Sequence, residues 1–95
     1  MIKTIIFKNN LVLVARLEEV AAIVPGEPDC KLIEPFELKS TDTGDFLQHW
    51  PSFSMQREVM VSSESFLTIL EPDKIHLDKY QSLTAKKVNE DKASS

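Results

Sequence analysis

Cysteine and histidine are the residue types of this chain best suited to nucleophilic chemistry. The chain has a single cysteine, Cys30, and two histidines, His49 and His76. A cysteine nucleophile needs a neighbouring base, and nothing in the sequence places either histidine beside Cys30. A lone cysteine cannot form an intramolecular disulfide, and a free thiol usually behaves as a small hydrophobic group. Cys30 is therefore predicted to be a buried, reduced thiol.

Serine and acidic clusters also point to structure more than to catalysis. Ser62, Ser63 and Ser65 lack the G-x-S-x-G context of a hydrolase nucleophile and are typical of a turn. The adjacent Glu18 and Glu19 point to opposite faces of a strand. The remaining acidic pair, Asp42 and Asp45, falls in a polar segment where carboxylates are usually solvated. We therefore expect a non-enzymatic protein and assign no catalytic residue.

A group of aromatic residues surrounds the proline in segment 46–53. These side chains could stack on nucleic-acid bases or bind a protein partner. They could also cap the core or fill a subunit interface, which the pattern favours. No cysteine or second histidine lies at metal-ligand spacing from the histidine of this group, so neither a metal nor a cofactor is expected. The group consists of Phe46, His49, Trp50 and Phe53.

Length and composition bound the fold and the class of partner. The 95 residues, 42% of them hydrophobic and 27% charged, suffice for one globular domain. No apolar run could span a bilayer, and the first residues lack a signal-peptide pattern, so a cytoplasmic protein without membrane contact is expected. The net charge of −4 argues against broad, non-specific phosphate binding.

The first third of the chain predicts two strands joined by a tight turn. Ile2–Phe7 is apolar and β-branched, and Asn9 and Asn10 are of the non-glycine type that best tolerates positive φ. Leu11–Leu17 alternates between apolar and polar positions, which indicates a strand. Residues 15–23 could alternatively form a helix, because Ala, Arg, Leu and Glu are good helix formers.

Proline and glycine divide the next segment. Residues 25–29 predict a turn. Cys30–Leu38 predicts a third strand, and Pro35 within it indicates an edge position, a bulge or a bend. One face of this strand is predicted to carry Cys30, Leu32, Glu34, Phe36 and Leu38.

The second half of the chain predicts a polar loop over 40–45 and two short strands over 57–61 and 66–70. A helix over Asp73–Lys86 follows Pro72, with an apolar stripe of Leu77, Tyr80 and either Leu83 or Thr84. Residues 88–95 are expected to be disordered, which leaves a single domain over 1–87. The sum is a mainly β protein, in which five strands form one strongly bent antiparallel sheet, closed into a small barrel, with a C-terminal helix.

The order and spacing of these segments over about Ile2–Tyr80 resemble the Sm-like family, the small ring-forming barrels associated with RNA. Ala15-Arg16-Leu17 lies near the middle of the long second strand, as in that family, and residues 59–69 resemble its short closing pair. The pattern is also similar to small uncharacterised barrel proteins of tailed marine phages. The resemblance implies a homo-oligomeric ring, built by pairing of exposed strand edges between subunits.

The resemblance also implies three positions for binding single-stranded RNA. Asp29 stands where the family commonly has asparagine, and Ser62-Ser63 stand where it commonly has Arg-Gly or Lys-His. A carboxylate repels phosphate, and a serine hydroxyl supplies no charge. The expected function is thus an Sm-like ring that binds single-stranded RNA. The alternative is a structural or protein-interaction subunit that keeps the assembly without RNA binding.

Overall fold

The computed structural model describes residues 1–21, 24 and 26–94, with side chains up to residue 85. A mainly β fold with a C-terminal helix is confirmed. A 3₁₀ turn over Ser63–Ser65 separates the last two strands. The elements are β1 (Ile2–Phe7), β2 (Val12–Glu19), β3 (Cys30–Thr41), β4 (Gly44–His49), β5 (Glu58–Val61), β6 (Phe66–Leu70) and α1 (Lys74–Ser94).

All strand pairs are antiparallel, and β3 lies at the centre of the pairing. The order across the sheet is β4-β3-β2-β1-β6. The outer edge of β3 is shared, because its first half pairs with β5 and its second half pairs with β4. Within the described residues β5 and β6 do not pair with each other. The predicted closed barrel is therefore wrong: the sheet is strongly bent but remains open between these two strands.

The N-terminal hairpin follows the sequence prediction. β1 has the predicted bounds, and Asn10 adopts a φ of +71° in the turn. The side chain of Asn9 accepts a hydrogen bond from the Leu11 backbone amide at 3.1 Å. The helical alternative for residues 15–23 is wrong as far as Glu19, where β2 ends; residues 22 and 23 lie outside the described residues.

The fourth strand, β4, is not anticipated by the sequence. The predicted polar loop over 40–45 is a tight hairpin instead, in which β3 continues to Thr41 and β4 begins at Gly44 with a φ of +129°. The Thr41 hydroxyl donates to the Gly44 carbonyl at 2.8 Å, which closes the turn. The aromatic segment lacks the alternation of apolar and polar residues that would predict a strand, and β4 forms because it pairs with β3.

A β-bulge accommodates Pro35 in the middle of β3. Val14 pairs with Phe36 and Arg16 pairs with Ile33, so two residues of β3 face one residue of β2. The first bulge residue, Glu34, has a φ of +51°. Of the three alternatives predicted at Pro35, the structure shows the bulge, and the edge position is wrong because β3 is paired on both sides.

The bulge also changes which face of the sheet each residue of β3 occupies. Leu32, before the bulge, packs with Ile5 and Leu13 in the first core cluster, whereas Phe36 packs with Val14 and Tyr80 in the second. One inserted residue reverses the alternation of a strand. The prediction that Leu32 and Phe36 share a face is therefore wrong.

Helix α1 covers the second core cluster through Tyr80 and Thr84. Tyr80 is fully buried, and its ring contacts Phe36 edge-on at a centroid distance of 5.8 Å. Its hydroxyl donates to the Ile33 carbonyl at 3.0 Å, and burial raises the pKa of Tyr80 to about 12. Thr84 is buried and Leu83 is partly exposed, so the apolar stripe continues through Thr84.

Polar contacts attach the start of α1 to the β3–β4 hairpin. Asp73 caps the helix by accepting from the His76 amide at 2.9 Å. The His76 ring lies between the carboxylates of Asp73 and Asp45, at 2.7 and 3.3 Å. Hydrogen bonds from the Ser40 hydroxyl and then from His76 hold the pKa of Asp45 below its usual value.

The helix is longer than predicted. It continues to Ser94, although the composition of residues 88–95 predicts disorder. No glycine or proline follows Pro72 to stop the helix. The last residue, Ser95, lies outside the described residues.

Two substitutions at Tyr80 are expected to separate packing from hydrogen bonding. Tyr80→Ala should lower the free energy of unfolding by about 3–5 kcal/mol through loss of a buried ring. Tyr80→Phe should lower it by about 1–2 kcal/mol, because the Ile33 carbonyl loses its donor. Urea denaturation measures both values, and an unchanged free energy of unfolding in both variants would contradict docking of α1 through this side chain.

Candidate functional site

The pairing of β3 with β5 brings the predicted RNA-binding positions together. Cys30 pairs with Val61, so Asp29 before β3 lies next to Ser62 and Ser63 after β5. These residues are more than thirty positions apart in the chain. The structure therefore brings Asp29, Ser62 and Ser63 together at one end of the β3–β5 pair.

Two hydrogen bonds join Ser63 to the Asp29 carboxylate. The Ser63 backbone amide donates to Asp29 Oδ1 at 2.7 Å, and the Ser63 hydroxyl donates to Asp29 Oδ2 at 2.5 Å. The hydroxyl and then the amide hold the pKa of Asp29 below its usual value of 3.8. Asp29 is therefore a fixed negative charge that links β3 to the 3₁₀ turn.

Ser62 has a separate task within the same turn. Its side chain accepts from the Glu64 amide at 3.3 Å, and its carbonyl accepts from the Ser65 hydroxyl at 2.6 Å. The Ser65 carbonyl in turn accepts from the Lys8 amide at 2.9 Å. Ser62 thus shapes the break between β5 and β6.

A groove of about 330 Å³ lies beside this cluster. Its walls combine Asp29 and Ser63 with apolar side chains of β2 and β6, including Leu17 and Phe66. Burial, followed by the nearby Asp29 carboxylate, raises the pKa of the Cys30 thiol. The predicted buried, free thiol is confirmed, and it stays protonated at neutral pH. The groove therefore offers hydrogen bonding and apolar contact beside a negative charge.

The aromatic segment divides between the core and the surface. Trp50 packs against the first core cluster, whereas Phe53 is 91% exposed and Phe46 is 43% exposed. Phe46 and His49 lie within β4 and the rest of the segment follows it, so these residues lie near the other half of β3 from Asp29. The structure does not bring the two groups of predicted site residues into one site.

Hydrogen bonds hold the loop that carries Phe53. The His49 ring bonds through Nε2 to the Ser54 carbonyl at 2.9 Å, and the Ser54 amide donates to the Pro51 carbonyl at 3.1 Å. Because a carbonyl only accepts, His49 Nε2 is the donor; Nδ1 is buried and has no partner among the described residues. His49 is therefore a positioning element of the loop, and Phe53 projects from a defined backbone.

The edges of the sheet are the other exposed feature. Within the part of the chain that the structure describes, β6 pairs only with β1, and four of its five residues are exposed. Leu67, Ile69 and Leu70 are 64%, 44% and 47% exposed. On β5, whose one partner strand among the described residues is β3, Met60 is 44% exposed. Both strands thus present unpaired backbone groups next to apolar side chains.

Sequence reasoning missed the role of Glu34. This charged residue is buried on a strand face whose other predicted members are apolar. Its carboxylate pairs with Arg57 Nε, and its amide donates to the Arg57 carbonyl at 2.7 Å. The one available signal was a glutamate on an apolar strand face. Its partner, in the segment before β5, could not be foreseen because the contact depends on the bulge.

Metal and membrane features are not found in the described part of the chain. No group of three or more histidine, cysteine or acidic residues is placed to hold a metal ion there. Among the same residues, no helix has the length and apolar character needed to cross a membrane.

A protein-family match covers nearly all of the fold described above. The family of unknown function DUF6561 matches residues 1–85, which include all six strands and the first half of α1. The chain belongs to the DUF6561 family. No curated protein matches this DUF6561 member.

The link between Asp29 and Ser63 gives a pH-dependent prediction. Because folding lowers the pKa of Asp29, its hydrogen bonds stabilise the folded protein above pH 3.8 and are lost as the pH falls through the lowered pKa. Ser63→Ala should raise the Asp29 titration midpoint toward 3.8, as followed by NMR of its carboxyl carbon.

Ser62→Ala is the matched control for this titration. It removes a neighbouring hydroxyl that bonds the Glu64 amide, so the Asp29 midpoint should stay at its wild-type value. A midpoint that does not change in Ser63→Ala, or that changes equally in both variants, would contradict the assignment.

Proposed function

We propose that this DUF6561 member is a non-enzymatic assembly subunit that pairs with copies of itself through β5 and β6, forming an Sm-like ring. The observation that carries the proposal is the exposed apolar edge formed by β6. A long unpaired edge with apolar side chains favours pairing with another chain. Pairing with a second copy would satisfy the edge amides and carbonyls and cover these side chains.

The position of the two edges supports a ring over a symmetric pair. β5 lies beside β3, whereas β6 lies at the other end of the sheet beside β1. Pairing of β5 in one copy with β6 in the next is a head-to-tail contact, which generates a ring when the rotation closes. The order also agrees with the Sm-like resemblance, in which the last two strands meet at a sharp break and pair between subunits.

Of the two forms of this proposal, a structural or protein-interaction subunit has the stronger support. Asp29 already binds Ser63, and its lowered pKa keeps a negative charge where the resemblance implies an RNA site. The chain carries a net charge of −4. Negative charge weakens phosphate binding.

RNA binding is the second candidate and rests on Phe53. This ring is 91% exposed on a hydrogen-bonded loop, and an exposed aromatic ring can stack on an unpaired base. In this form of the proposal the oligomer would present one exposed Phe53 per subunit, and these weak binding sites would act together.

Edge pairing predicts an oligomer whose mass does not change when the protein is diluted. Size-exclusion chromatography with light scattering should give a mass that is a multiple of 10.8 kDa. Leu67→Lys should give a monomer, because the new charge would lie unpaired in the contact. Ile75→Lys is the matched control: Ile75 is 66% exposed on α1 and belongs to neither edge strand, so the oligomer should persist. A wild-type mass of 10.8 kDa would refute the proposal.

The RNA candidate is tested with a fluorescent U-rich oligonucleotide titrated at several salt concentrations. Binding should weaken as salt rises and should fall in Phe53→Ala, because phosphate contacts and base stacking are both required. Ser52→Ala is the control from the same loop and should bind as the wild type does. No binding at low salt with high-micromolar protein would reject the RNA candidate and leave the structural subunit.

A further inference from the structure

The two arginines of the chain converge on one cavity. Arg16 lies on β2 and Arg57 precedes β5, and the sequence contains no other arginine. Both line a cavity of about 620 Å³ between the sheet and α1, where Gln81 and Thr84 form the helix side. In a chain with a net charge of −4, both guanidinium groups are therefore found at one cavity.

The β3 bulge fixes one wall of this cavity. Glu34 is 5% exposed and has a φ of +51°, a region that non-glycine residues populate sparsely. Its carboxylate pairs with Arg57 Nε, and its amide binds the Arg57 carbonyl. Arg57 is thus held by side chain and backbone together. Backbone conformations of this kind cluster at ligand-binding and active sites.

Among the described side chains, the cavity walls carry two arginines and two glutamates, and both glutamates have ion-pair partners. Glu34 is paired with Arg57, and Glu58 is paired with Lys31 at 3.4 Å. Arg16 is exposed and has no ion-pair partner among the side chains that the structure describes. A ligand with a single negative charge would therefore balance the cavity, whereas a dianion would add uncompensated charge near Glu34 and Glu58.

The remaining walls are suited to a ligand with an apolar part. Ile33 and Ala85 contribute apolar surface, and the Gln81 amide offers a hydrogen-bond donor. The Thr84 hydroxyl is already used as a donor to the Tyr80 carbonyl at 3.1 Å. Arginine binds a carboxylate through two parallel hydrogen bonds, which lysine cannot do.

We propose that this cavity binds a small monocarboxylate with an apolar body. Arg16 pairs with the carboxylate, and the Arg57–Glu34 pair forms a rigid wall beside it. The apolar body lies against Ile33 and Ala85. The site does not depend on the proposed ring, because every residue that forms it belongs to one copy.

Benzoate is a suitable probe, with neutral benzamide as its isostere. In an NMR titration of the full chain, benzoate should shift the backbone amides of Gln81 and Thr84 in a saturable way. Benzamide should bind at least about tenfold more weakly, because it cannot pair with Arg16. Arg16→Gln should reduce benzoate affinity by a similar factor, and Arg16→Lys by less.

Lys8→Gln is the matched control variant, because it removes one exposed positive charge in the β1–β2 turn. Its benzoate affinity should equal that of the wild type. Absence of saturable shifts in the wild type, equal affinity in Arg16→Gln, or tighter binding of inorganic phosphate than of benzoate would each overturn the proposal. The comparison of benzoate with benzamide uses only the wild-type protein, so it holds even if Arg16→Gln folds poorly.

Discussion

The β-bulge at Glu34 and Pro35 is the constraint on which the rest of the structure depends. Two residues of β3 oppose one residue of β2, and this insertion reverses the alternation of the strand. Leu32 consequently packs inside the bent sheet, whereas Phe36 faces α1 and meets Tyr80. A single local irregularity thus supplies both halves of the core, and it allows a proline within a strand that is paired on both sides.

The bulge also determines how the outer edge of β3 is used. β5 pairs with β3 before the bulge and β4 pairs with it after the bulge, so each covers only part of that edge. β6 lies at the far end of the sheet beside β1. The division places β5, one of the two strands that we propose for assembly, beside the first half of β3. Glu34, at the bulge itself, holds Arg57 at the cavity under α1. The packing, the proposed assembly and the proposed ligand site are therefore linked through one strand.

Most of the polar side chains described above form hydrogen bonds that hold neighbouring parts of the fold together. Asp29 bonds Ser63 across the β3–β5 ends, and His49 bonds Ser54 to hold the aromatic loop. Asp45, Asp73 and His76 attach the start of α1 to a hairpin. A polar group that is already satisfied by its own chain is poorly available to a ligand. Arg16 differs, because no described side chain neutralises its charge, and for this reason it stands at the centre of the ligand proposal.

Local pattern determined the bounds of β1 and β6 and the tight turn that contains Asn9 and Asn10. It also narrowed Pro35 to an edge position, a bulge or a bend, and the helical stripe to Tyr80 with either Leu83 or Thr84. Each of these depends on residue type and short-range spacing, which alternation and steric preference encode directly. Only the tertiary structure decided that β4 is a strand, that the sheet stays open, and that the two arginines share a cavity. These features depend on pairing and contacts between residues far apart in the chain. A single bulge shifts the register of such pairing, and the sequence on either side of the bulge carries no sign of the shift.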